Sequence, residues 1–113
     1  MSEIEEFEYI NELYAIYKSL LTLRQIEIMD KYYLYNLSLS EIAFDLKISK
    51  TAVSDSLNHA KNKLIEFEAK LNLNKKYLNL KKILISEKID EKLIKKILKE
   101  LYWYGIWKFN WEI

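Results

Sequence analysis

Five side chains near the middle of the chain, Lys50, Thr51, Ser54, Asn58 and Lys61, are separated by 1, 3, 4 and 3 positions. On a helix that spacing makes one face, able to donate hydrogen bonds to phosphates and to base edges. Asn58 suits adenine, which an amide can bind bidentately. The commonest specific contact, arginine to guanine, is missing, because the chain's one arginine is Arg24. Asp55 interrupts the face and opposes phosphate. Over residues 38–63, Lys47, Lys50, Lys61 and Lys63 stand against Glu41, Asp45 and Asp55, a net of +1. Non-specific affinity for DNA comes mostly from phosphate neutralisation. The face is therefore either a weak reader of duplex DNA or the solvated side of a helical core.

A second set is more strongly charged. Lys88, Lys92, Lys95 and Lys99 repeat at 4, 3 and 4, the spacing of a helical stripe. Residues 75–99 hold nine lysines against Glu87, Asp90 and Glu91, a net of +6. Such a stripe suits an RNA backbone or an acidic partner, and it also suits plain solvation. The lysine bias, 17 of 18 basic residues, equally fits an AT-rich coding sequence. A third set is aromatic. Tyr102, Trp103, Tyr104, Trp107, Phe109 and Trp111 fall within ten residues. They are expected to cover an apolar seam, to form a docking or dimer surface, or to stack on single-stranded RNA.

Enzyme chemistry has little to work with. There is no cysteine, and His59 is the single histidine. A thiolate metal site is excluded, and His59 has no second histidine as a metal partner and no recognisable serine partner. One glycine cannot make a phosphate-cradling loop. No enzyme activity, cofactor or metal is expected. Glu3, Glu5, Glu6 and Glu8 read as favourable charges at a helix N-terminus.

The elements that position these groups are read as helices. Half of the 113 residues are hydrophobic, there is no proline, and breakers are scarce, which favours an all-α fold with short connections. Phe7, Ile10, Tyr14, Tyr17 and Leu21 make one face of a first helix. "TLRQ" from Thr22 and "SLSE" from Ser38 are capping boxes. The helix after Thr22 is expected to run to about Leu34 and to bury Leu23, Ile26, Met29 and Tyr33. The short helix after Ser38 is expected to bury Leu39, Ile42, Ala43 and Leu46. Ser49 caps a long helix whose seam is Val53, Leu57, Ala60, Leu64, Phe67 and Leu71. The distal half of that seam needs a cover, either the chain's own C-terminal part or a second subunit. Leu64, Phe67, Leu71, Trp103, Trp107 and Trp111 are therefore interface candidates. "LNLN" at 71–74 breaks the phase, with Asn74 as a cap. It divides a helix-turn-helix domain (1–70) from a helical extension (71–113). Ser86 is expected to start a last helix that ends at Gly105, and the alternation of Trp107, Phe109, Trp111 and Ile113 predicts a short strand. The acidic start lacks a secretory signal, and no stretch reads as a membrane span. A cytoplasmic protein is expected.

The stretch "LTLRQIEIMDKYYLYNLSLSEIAFDLKISKTAVSDSLNHAKNKL" resembles the fourth-region DNA-binding module of sigma factors. With "IYKSL" before it and "KNKLIEFEAKLNLNKKY" after the probe helix, residues 7–77 are similar to the YlxM family, small bacterial helix-turn-helix proteins associated with the signal recognition particle. That resemblance implies a sigma-like all-α fold with a long post-recognition helix, and a homodimer. It also implies an accessory role beside the particle's GTPase protein, with the particle's RNA as a further partner. A DNA-binding regulator is the alternative. Sigma-type modules commonly carry glycine in the turn where Lys47 stands. A left-handed Lys47 would cost on the order of 1 kcal/mol.

Overall fold

Three helix starts carry the caps that the sequence predicts. Thr22 and Ser38 each accept from the backbone N–H three residues on, while the Gln25 and Glu41 side chains reach back to the cap's own N–H. The Ser49 hydroxyl accepts from Ala52 N at 3.0 Å. A computed structural model describes residues 2–101, and among these there are six α-helices and no strand. They are α1 (Glu3–Tyr17), α2 (Leu23–Met29), α3 (Leu39–Leu46), α4 (Lys50–Leu71), α5 (Leu73–Ser86) and α6 (Glu91–Leu101). A 3-10 turn (Lys18–Leu20) follows α1, and a π-helical turn (Asp30–Leu34) extends α2 to the expected end at Leu34. Gly105, the strand predicted over 107–113, and Trp103, Trp107 and Trp111 lie outside the described residues.

The main core gathers α1 to α4. Ile10, Leu13, Tyr17, Ile28, Met29, Ile42, Val53 and Leu64 are all buried there. At its edge Phe7 stacks on Tyr33, with ring centroids 4.7 Å apart. A second cluster of Ala15, Tyr77, Ile94 and Leu98 seats the α5–α6 hairpin on α1.

Four expectations are corrected. Leu23 is 86% exposed, and Ile28 is buried in its place. Leu23 lies five and six residues before Ile28 and Met29, which puts it on the far side of α2. Among the described residues it is α1 that covers the distal seam of α4, burying Leu64 completely and laying the Tyr17 ring 5.8 Å from that of Phe67. Leu64 is thus a core residue and no interface candidate. Of the seam, only Leu71 stays exposed, at 46%. The break between α4 and α5 is capped by left-handed Asn72 (φ 54°), while Asn74 is buried in the first turn of α5. Ser86 ends α5 and does not begin α6. The reversal lies at residues 87–90, where Lys88 is left-handed (φ 54°).

Candidate nucleic-acid interface

The turn between α3 and α4 sets the pose of the probe helix. Lys47 closes α3 in the left-handed region (φ 57°, ψ 44°). Its N–H bonds back to Ala43 and Phe44, and Ile48 N donates to Ala43 O at 3.1 Å. Lysine has a Cβ that disfavours this conformation. Contacts of Leu46 and Ile48 with the main core hold it.

With Val53, Leu57 and Ala60 buried, α4 turns Lys50, Thr51, Asp55 and Asn58 fully outward. Ser54 and Lys61 are half-buried on the same face. The geometry thus presents the predicted residues together, and it presents Asp55 with them. Lys31 is bound to Asp45 of α3 in an ion pair. Lys63 and Lys70 both pair with Glu66, whose carboxyl is held below its ordinary range chiefly by the Lys70 ammonium. Such internal pairing leaves fewer cations for a polyanion.

The lysine surface is arranged differently from its sequence pattern. Lys92, Lys95 and Lys99 stand exposed on α6, opposite the buried Ile94 and Leu98. Lys88 does not continue that stripe, because the left-handed kink at its own position ends the helical register. Lys96 takes its place. It is exposed four residues after Lys92 and three before Lys99, a signal the sequence carried. Glu91 lies 3.7 Å from Lys95. On α5, Lys75, Lys76 and Lys82 are exposed as well.

A buried joint holds the two surfaces in one relation. Glu68 of α4 is 8% exposed. Its carboxylate accepts from Tyr17 Oη at 2.6 Å, Asn74 N at 3.0 Å and Lys75 N at 3.1 Å. The Tyr17 hydroxyl in turn accepts from Leu73 N at 3.2 Å. Three of the unpaired N–H groups that any helix start exposes are thus met, at α5, by side chains of α1 and α4. The negative carboxylate also suits the positive end of the α5 dipole. Burial, and then the bond to Glu68, push the Tyr17 phenol up to about 12. Sequence reading assigned Glu68 no role, since no local pattern shows which helix start a glutamate meets. A second polar set, Tyr14 Oη on Asp30 Oδ1 at 2.5 Å with Lys18 at 3.0 Å from the same carboxylate, ties α1 to the π-helical turn.

Among the described residues no group of histidine, cysteine or acidic side chains is arranged to hold a metal, and no helix is long and apolar enough to cross a membrane. His59 is exposed on α4.

Residues 4–102 match the family UPF0122, described as helix-turn-helix proteins, YlxM / p13 like. A UPF0122 protein of Mycoplasma mycoides is 40% identical over 109 residues, covering 94% of each chain. Another, from Caldanaerobacter subterraneus, is 42% identical over 87 residues, covering 77% of this chain and 73% of its own. One from Bacillus pumilus is 38% identical over 81 residues, covering 72% and 74%. No solved structure matches the chain.

Proposed function

The chain belongs to the YlxM / p13-like family of helix-turn-helix proteins, and from that premise we propose that it is a non-enzymatic accessory factor of the signal recognition particle, working in the cytoplasm. In this reading it contacts the particle's GTPase protein and lays the α6 lysines on the particle's RNA. The observation that carries it is the separation of charge. The probe surface over residues 38–63 nets +1, whereas residues 75–99 net +6. Lys92, Lys95, Lys96 and Lys99 stand exposed on one helix, the stripe on which a phosphate backbone would lie.

Fluorescence anisotropy with the particle's RNA at two salt concentrations tests it. Lys92→Glu with Lys95→Glu should weaken binding at least tenfold and flatten the salt dependence. Lys50→Glu with Asn58→Ala should leave RNA binding unchanged. Equal loss in both variants would refute the assignment to α6.

A second reading is a DNA-binding regulator. It is favoured by Lys50, Thr51 and Asn58, exposed together at the start of a capped helix behind a tight turn. Binding of duplex DNA at physiological salt, lost in Lys50→Glu with Asn58→Ala, would establish it over the first.

A further inference from the structure

Lys75, Leu78, Asn79 and Lys82 follow one another at spacings of 3, 1 and 3, which places them on one face of α5. With Ile65, Ala69 and Asn72 at the end of α4 they line an open groove of about 540 Å³, the size of a small-ligand site. The described lining is mixed in character, with polar and charged side chains set around Ile65 and Leu78, which keep 46% and 40% of their surface exposed. Among the described residues the Lys75 and Lys82 ammoniums make no ion pair, and the Asn72 and Asn79 side chains make no hydrogen bond. Glu68 lines the groove too, but its carboxylate is already met by three donors, one of them the N–H of Lys75.

We propose that this groove takes one unstacked nucleotide of a single-stranded nucleic acid, its base between Ile65 and Leu78 and its flanking phosphates on Lys75 and Lys82. Apolar side chains hold a base by its faces, amides meet the donors and acceptors on its edge, and ammoniums neutralise phosphates. Lys75 and Lys82 are two turns apart, roughly 10 Å along the helix axis. Asn79 lies between them on the same face. The order along α5 is therefore phosphate partner, base-edge partner, phosphate partner, which is the order a nucleotide and its neighbours present. An acidic peptide would engage the lysines and leave the amides and the apolar wall unused. A duplex keeps its bases stacked and paired, so only an unpaired base can enter. The inference is independent of the proposed function, because it concerns α4 and α5 and not the lysines of α6.

Fluorescence anisotropy of the full-length chain tests it, with a short labelled RNA strand, its DNA counterpart and the same strands made without bases. The base-bearing strand should bind at least fivefold more tightly than the abasic one, and the tighter of RNA and DNA identifies the natural strand. Ala69→Trp, which fills the groove from an exposed position on α4, should abolish that preference. Asn79→Asp gives the same readout if Ala69→Trp fails to fold. Lys82→Gln should flatten the dependence of log affinity on log salt by about 0.7, the loss of one single-strand phosphate contact. Lys92→Glu with Lys95→Glu should leave the preference for bases intact, whatever it does to affinity, so a failure of the α6 reading and a failure of the groove are told apart. Equal binding of the abasic strand would overturn the proposal, because the lysines would then hold phosphate alone. So would an unchanged preference in both folded groove variants. Binding of a poly-aspartate peptide with no binding of either strand would also sink it, because the occupant would then be an acidic protein segment.

Discussion

Replacing Glu68 by alanine removes one side chain and strands three donors. Tyr17 Oη, Asn74 N and Lys75 N all point at a carboxylate that is 8% exposed, so water cannot easily stand in. Loss of a helix cap costs about 1 kcal/mol. A buried hydrogen bond to a charged partner is worth about 1.5–3 kcal/mol, and the three share one acceptor, so they do not add in full. A total near 3 kcal/mol follows, a large share of the roughly 5–15 kcal/mol that holds a domain folded. Tyr17→Phe removes the 2.6 Å bond and the acceptor for Leu73 N, while Glu68 keeps both backbone donors. It should cost about 1–2 kcal/mol. Urea unfolding followed by circular dichroism measures both. In a double-mutant cycle with Tyr17→Phe, Glu68→Gln should show a coupling of about 1 kcal/mol. Glu66→Ala, two residues away but exposed between Lys63 and Lys70, should leave the urea midpoint nearly unchanged. If Glu68→Ala behaves like Glu66→Ala, or the cycle shows no coupling, the joint does not hold α5 and the argument fails.

Alkaline pH should weaken the fold through its tyrosines. Tyr17 is pushed up to about 12, and burial raises Tyr14 and Tyr33 further. Folded values above the ordinary 10 mean that the unfolded chain releases these protons first. The stability they contribute is complete below about pH 10 and falls as the pH rises towards and through 12. The urea midpoint should drop steadily from about pH 10 upward, and the phenolate absorbance of these three residues should develop only with unfolding; a flat midpoint would contradict it. Lys47→Gly relieves a left-handed lysine at the turn of the probe helix. It should raise stability by up to about 1 kcal/mol in thermal unfolding, whereas Lys47→Val should lower it.

The two capping boxes, the Ser49 cap and the buried faces of α1 and α4 were legible in the sequence. Each is decided within one or two helical turns, where side-chain chemistry and 3.6-residue periodicity act on near neighbours. The outward placement of Lys50, Thr51 and Asn58 follows from that periodicity alone. What lies between elements was not legible. Leu23 has the right residue type and a plausible spacing, yet only the packing of α2 on α4 chooses Ile28 over it. Leu64 looked like an unpaired seam residue until α1 closed over it. Lys88 and Lys96 exchanged roles because a left-handed residue after α5 restarts the helical register. Glu68 is one acid among 17 in the chain. Its role arises only where α1 and α4 bring a hydroxyl and a helix start to the same point. Local preference is a property of neighbouring residues, but burial and polar pairing are properties of surfaces, and those exist only once distant segments meet.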